Sequence, residues 1–454
     1  MNYFLKLLKP APHKTEIADE DVLNKTFRYW RIRILYTMFF GYAVFYFTRM
    51  TFTFAMPELK PLGFDEVGLG WILTIGQISY GMSRFFSGIL ADRSNPRYLM
   101  AIGLMITGVI NILFGLSTSL VLFMVFWGIN GWFQGWGSAP CHRLITHWYS
   151  PNERGRWWGV WNTAHNIGAA LIPFLAVFLI SRSGWRLSMY VPGIIAIVVS
   201  LFIINRLRDT PQSLGLPPVE KWRNDTSAPP IRGVERELST KEILFQYVLT
   251  NRYIWLLAVS YFMVYIVRWA VISWSYLFLV NSQGYSHWLA AFCFFGFEFG
   301  GFFGGMLAGW LSDVVFKGRR GPVNAIFMIA IVPAVLFFWY VSSYASMAIL
   351  TTAAMGLLGF FIYGPQMLLS VAATELSHKK SAATAAGFMG VIAYVGSAMT
   401  GGPLGHIIRD FGWNYYFIII TVASVAGSLC VLPLWSVTKA PERKKKSDSI
   451  PSPV

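Results

Sequence analysis

This sequence is poor in charge. Only 13% of its 454 residues are Asp, Glu, Lys or Arg, where a soluble domain carries about 25%, so a water-facing surface of the ordinary kind cannot be built from it. Cysteine is equally scarce. Cys141, Cys293 and Cys430 stand far apart in apolar segments, which argues against a disulfide framework or a metal site and leaves three small buried hydrophobes. No nucleophile paired with a base and no glycine-rich nucleotide loop occurs, so the chain reads as no enzyme and as needing no cofactor and no metal. The start, MNYFLKLLKPAPHK, holds too short an apolar patch for a cleavable signal, and the first long apolar segment is expected to direct insertion.

Apolar side chains dominate instead: 55% of residues are hydrophobic and 17% aromatic. Twelve apolar spans can be marked, at roughly 34–56, 67–90, 98–116, 120–148, 157–181, 187–205, 253–280, 288–312, 323–342, 346–374, 381–408 and 414–436. They predict an all-α polytopic membrane protein with twelve transmembrane helices, its partner the lipid bilayer. If both termini are cytosolic, the inner segments hold most of the 37 Lys and Arg, while the outer loops hold only Lys60, Arg182, Arg186 and Arg409. That is the positive-inside bias, and it sets a multi-pass chain in the cell inner membrane with both ends inside. The net charge of +16 is then topology and not a nucleic-acid footprint.

The longest polar interval divides six spans from six. The expected organisation is a cytosolic N-terminal segment (1–33), an N-terminal six-helix bundle (34–205), a cytosolic linker (206–252), a C-terminal bundle (253–436) and a basic cytosolic tail (437–454). The later part of the first segment, NKTFRYWRIR, is suited to the membrane interface. The end of the linker, LSTKEILFQYVLTNR, has the Ser/Thr start and apolar spacing of a short amphipathic helix.

One pattern occurs in both halves. Tyr42, Tyr46 and Arg49 recur, identically spaced, as Tyr261, Tyr265 and Arg268. Each arginine follows a basic residue, Arg33 or Arg252, by the same interval, which places both guanidinium groups roughly 24 Å from a basic boundary at 1.5 Å per residue. Two positive charges thus sit at matched depth inside the hydrocarbon layer. Such a charge costs at least about 2.5 to 3.5 kcal/mol and persists where something compensates it. A phosphate suits two planar, five-donor forks best.

Other in-span charges are few. Arg84 and Glu298 lie deep, and Arg143 and Glu375 near the ends of spans four and ten. The deep set, three positive and one negative, would be neutralised by a phosphate monoester dianion. Three of its members admit a second role: Arg49, seven residues from Met56, in snorkelling outward, Arg84 in a contact at the cytosolic boundary, and Glu298 as a structural counter-charge that never touches substrate. Span five carries Asn162, His165 and Asn166 on neighbouring helical positions, the histidine able to donate to a phosphate oxygen. Tyr42, Tyr46, Tyr80, Tyr265, Tyr363 and Tyr394 offer hydroxyls to an organic moiety.

Beyond span two stand Gly88, Asp92, Arg93 and Arg97; beyond span eight stand Gly309 and Asp313, then Lys317, Arg319 and Arg320. The glycine permits close helix approach, and the aspartate can meet basic groups or a helix N-terminus, forming a latch at the cytosolic face whose contacts break when that side opens. Two parallel six-span halves are a common transporter plan, with the binding site between them. This repeated loop resembles the signature of the major facilitator superfamily, which implies two pseudo-symmetric six-helix bundles.

Longer motifs narrow the resemblance. YFTR in span one, YIVR in span seven, HWYSPNERG, WNTAHNIG and RLRDTPQSLGLP look like the organophosphate:phosphate antiporters, in their hexose-phosphate transporter and sensor branch. By that resemblance Arg49 and Arg268 would be paired phosphate ligands and His165 a third contact, with Arg84 where lysine is usual. An acid and a lysine found in span eleven of some hexose-phosphate transporters are replaced here by Ala386 and Met389. The implied function is exchange of a sugar phosphate, such as glucose 6-phosphate, for inorganic phosphate by alternating access. The alternative it carries is a hexose-phosphate receptor signalling to a membrane sensor kinase.

Overall fold

The computed structural model describes residues 8–225, 245, 248–344, 347–377 and 382–437. Most of the proposed amphipathic linker helix and the basic tail after Val437 lie outside these. The first half is built from α1 (Glu20–Leu59), α2 (Glu66–Arg93), α3 (Pro96–Leu116), α4 (Leu120–Gln134), α5 (Ser138–Trp148), α6 (Pro151–Ser183) and α7 (Trp185–Arg206), with the short α8 (Val219–Arg223) after it. The second comprises α9 (Arg252–Leu277), α10 (His287–Trp310), α11 (Arg320–Ser342), α12 (Ala348–Glu375), α13 (Ala382–Met399), α14 (Gly402–Phe411) and α15 (Trp413–Val431).

Nine helices among the described residues are long and apolar enough to cross a membrane. The three remaining spans fall short for physical reasons. In α1 and α2 the polar cargo, threonines, tyrosines, Gln77, Arg49 and Arg84, dilutes the apolar run. The fourth span is interrupted at Gly135–Gly137, so α4 and α5 are each too short alone. The eleventh span breaks likewise at Thr400 and Gly401, before Pro403 enters α14 in its first turn. Pro140 and Pro403 thus mark interruptions, whereas Pro173 and Pro365 sit inside continuous helices.

The segment 20–33 is part of the same 40-residue helix as the first span, and does not form a separate element. Such a helix is about 60 Å long, twice the hydrocarbon thickness, so one end must project beyond the layer. Residues 8–19 and the linker wrap that projection. Lys14 and Ile17 amides donate to Gln212 and Gly215 carbonyls, the Ala11 amide to Asp209, and Trp222 stacks on Phe27 at 4.3 Å.

Within halves, packing is closest where side chains are smallest. A Cβ at Gly300 or Gly304 of α10 would overlap the carbonyls of Gly356 and Phe360 on α12. Between halves, α1 meets α9, α2 meets α13 and α14, and α6 meets α10. At the end away from the termini these seams are shut. Thr74 patches the break in the eleventh span, accepting from Gly402 N at 2.9 Å and donating to Ala398 O at 2.8 Å. Arg409 pairs with Asp65 and His287 approaches Glu58 there.

Toward the basic end the seams diverge. Along α2 a Cβ on Gly70 would lie 2.7 Å from the Gly401 carbonyl and one on Gly81 2.8 Å from Tyr394 Cβ, but one on Gly88 would meet nothing within 4 Å. Along α6, Phe174 packs on Phe292 and Phe295 and Asn166 reaches Glu298. Two turns on, Gly159 and Gly155 face open space. Arg84 and Asn162 are exposed although they belong to mid-bundle positions. A cavity therefore opens at the basic end and closes at the other.

The expected latch, whose contacts break when the cytosolic side opens, is not formed across these diverged seams. A Cβ at Gly88 would meet nothing within 4 Å, and one at Gly309 would stand an ordinary 3.5 Å from Met367, so neither position is a close approach in this conformation. Asp92 and Arg93 are exposed, and neither makes an ion pair among the described residues. Arg143, from α5, does the capping instead: it donates to the Ala91 and Asp92 carbonyls at 2.9 and 2.6 Å and pairs with Asp209 at 3.1 Å. Arg97 ties to the Ile204 carbonyl. In the second half Asp313 pairs with Arg320 at 2.5 Å and Glu375 with the same arginine at 3.0 Å. These corner contacts lie within each half and stand while the basic end is open.

Candidate functional site

The two repeated arginines share one aromatic ring. Arg49 Cζ and Arg268 Cζ each lie 5.5 Å from the Trp269 ring centroid, so they are no farther apart than twice that distance. Neither points toward lipid. Arg268 is only 4% exposed, and Arg49 lies over the Tyr80 ring at 3.7 Å with Tyr46 at 5.4 Å.

Their compensation differs. Arg268 Nη2 donates to the Tyr363 hydroxyl at 3.2 Å, and that hydroxyl donates to Glu298 Oε2 at 2.7 Å. Glu298 is fully buried and also accepts from Asn166 of the other half at 3.5 Å. This binds Arg268 to a carboxylate through a tyrosine. Among the described residues Arg49 pairs with no carboxylate; aromatic faces hold it, and its Nη2 is buried without a hydrogen-bond partner. Cation–π attraction of that kind contributes about 0.5 to 2 kcal/mol, more where water is excluded. Arg268 Nε and Glu298 Oε1 are likewise buried and unpaired, donors and an acceptor that a ligand can satisfy.

The remaining predicted residues join the same network. His165 is buried, its ring stacked on Tyr363 at 6.1 Å and 5.6 Å from Tyr46. Its Nδ1 meets the Asn162 carbonyl, so in the neutral ring Nε2 is an acceptor, and it donates only when protonated. Asn162 contributes that carbonyl, while its side chain faces the cavity. Tyr42 packs on Tyr46 at 5.7 Å. Tyr394 bridges Tyr80 at 5.0 Å and Tyr265 at 5.4 Å, and its hydroxyl accepts from Arg84 at 3.3 Å. Arg84 therefore faces the cavity from the basic side and takes no part in the corner contacts.

Sequence reasoning passed over three residues. Trp269 walls both arginines, although its place directly after Arg268 was a visible signal. Trp161 lies 4.9 Å from Tyr42, and His142 lies 4.3 Å from Trp158 and 5.4 Å from Trp161, extending the cavity wall. Behind Arg49, Gln134 donates to the Thr48 hydroxyl at 2.8 Å and Asn130 to the Thr48 carbonyl at 3.1 Å, fixing the turn of α1 that carries the arginine. A void of about 30 Å³ beside Arg49, Gln77 and Asn130 has room for about one water molecule.

Comparison with known proteins agrees with this architecture. A model of the Major Facilitator Superfamily matches residues 38–401. A probable hexose phosphate transport protein of Chlamydia pneumoniae is 52% identical over 98% of this chain and 100% of its own length. The membrane sensor protein UhpC of Escherichia coli is 46% identical over 95% of this chain and 97% of its own, and a glycerol-3-phosphate transporter of Bacillus subtilis 38% identical over 96% and 99%. A solved bacterial homologue of the human lysosomal transporter Spinster, inward-facing, shares the fold at a TM-score of 0.64 and 17% identity, over 89% of this chain and 94% of that one.

Proposed function

The chain belongs to the Major Facilitator Superfamily, in its organophosphate:phosphate antiporter branch, and on that footing we propose that it exchanges a hexose phosphate, glucose 6-phosphate first among them, for inorganic phosphate across the cell inner membrane. The observation that carries this reading is the pair Arg49 and Arg268, one from each half, both 5.5 Å from the Trp269 ring centroid and with buried donor nitrogens left unsatisfied. The phosphoryl group is common to substrate and counter-substrate. Both therefore compete for one place, with His165, Tyr363 and Glu298 around the Arg268 side and Tyr46 and Tyr80 around Arg49. Arg84, Asn162, Tyr42, Tyr265 and Tyr394 are left for the sugar.

With the positive-inside bias placing both termini in the cytosol, the open cavity faces the cytosol. Rocking of the halves closes the α2–α13 and α6–α10 seams there and parts them at the outer end. Exchange is obligatory for an electrostatic reason. Without an anion, occlusion would bury the uncompensated Arg49 charge away from water, and the barrier to crossing empty is high.

Proteoliposomes loaded with phosphate test the proposal: labelled glucose 6-phosphate should enter only when phosphate is trapped inside, and added phosphate should inhibit entry competitively. Entry into phosphate-free vesicles at the same rate would refute exchange. The resemblance to a membrane sensor protein favours a second reading, a receptor that signals to a membrane kinase, in which the wrap of residues 8–19 and 207–225 around α1 is the read-out surface. Binding without flux in the same vesicles would select it.

A further inference from the structure

A second crevice opens at the basic end of the C-terminal half, away from the central site. It encloses about 540 Å³ and lies between the start of α11, the ends of α12 and α15 and the first turns of α9, a size that suits a small ligand. Its rim carries Lys317, Arg319 and Arg320. Arg320 is engaged by Asp313 and Glu375, whereas Lys317 and Arg319 are exposed and pair with no carboxylate among the described residues. The backbone of Lys317 is left-handed, with φ 52°, a conformation glycine or asparagine adopts more readily than lysine.

Inside stands a more telling group. Asn324 lines the crevice, is 1% exposed, and has no hydrogen-bond partner at either Oδ1 or Nδ2. Buried amides are nearly always satisfied, so an orphan at the floor of a cavity calls for a ligand or a bound water. It lies one turn into α11, whose N-terminus has no capping side chain and so directs free amides and the positive end of its dipole the same way. Leu257, Val431 and Leu434 supply an apolar wall.

We propose that this crevice binds a phosphate-bearing anion, with Asn324 bonding it from below and Lys317 and Arg319 holding it from the rim. The chemistry fits a phospholipid headgroup whose acyl chains run along the apolar wall, and equally a free phosphate anion. Basic pockets between helices at the cytosolic leaflet take anionic headgroups in this way.

The test uses the full-length protein in detergent, titrated with dioleoylphosphatidylglycerol in one arm and inorganic phosphate in the other, with the thermal midpoint as read-out. Wild type is compared with a Lys317→Ala, Arg319→Ala double variant and with Asn324→Asp, which keeps the shape but repels an anion. The central site is intact in all three, so its contribution to the phosphate arm drops out of the difference. A shift of at least about tenfold in the half-effective lipid concentration identifies a headgroup site; the same shift confined to the phosphate arm identifies a free anion. If neither arm separates the variants from wild type, the proposal falls. Failure of the transport assay would leave this difference unaffected.

Discussion

Arg49 and Arg268 occupy the same place in the two halves, yet one is wired and the other is not. Arg268 hands its charge through Tyr363 to Glu298, while Arg49 rests on the faces of Tyr80, Tyr46 and Trp269. The repeat sets depth; the neighbouring spans set compensation. Glu298 comes from α10 and Tyr363 from α12, and the first half offers no acid at the corresponding depth. One arginine is therefore tied to a carboxylate of its own half, and the other keeps a buried nitrogen without a hydrogen-bond partner among the described residues.

Breaking the wired side should have the largest effect. Arg268→Ala strands Glu298 in the interior, costs about 3 kcal/mol of stability and abolishes exchange; adding Glu298→Gln should recover the thermal midpoint without recovering transport. If the single variant is as stable as wild type, the compensation described here is wrong. Arg49→Lys should lower exchange about 30-fold, because a point charge forfeits roughly 2 kcal/mol of forked hydrogen bonding, yet leave the midpoint nearly unchanged, since no buried acid depends on it. Equal destabilisation by the two arginine variants would erase the contrast.

Smaller changes sharpen it. Tyr363→Phe removes both bonds of the relay and should raise the phosphate KM about tenfold, with little change in maximal rate. On the other side Tyr80→Phe keeps the ring and should alter KM less than about threefold, while Tyr80→Leu loses the cation–π contact and should cost several-fold. A larger effect of Tyr80→Phe than of Tyr363→Phe would reverse the assignment of which arginine is wired.

Much of this was legible in the sequence, because period and composition fix what a span is and how deep a residue lies. The spacing of Tyr42, Tyr46 and Arg49 and its copy in the second half placed two guanidinium groups at one depth, and WNTAHNIG put Asn162, His165 and Asn166 on neighbouring positions of one helix. What a sequence does not carry is which face meets which. Arg143 finds the end of α2 and Asp209, and Thr74 finds the break before α14, only once separate spans are packed. The same holds for Trp269: its place directly after Arg268 was visible, but not that its ring also meets Arg49. Whether Gly88 is in contact or apart is also invisible in the sequence, since it depends on how far α2 and α13 diverge.

Phosphate affinity in a double-variant cycle over Arg49→Lys and Arg268→Lys bears most directly on a single anion shared by both halves. Two guanidinium groups on one phosphate should give strongly non-additive losses, the double variant binding little worse than either single one. Losses that add as for independent sites, or wild-type affinity in either single variant at normal abundance, would contradict the account.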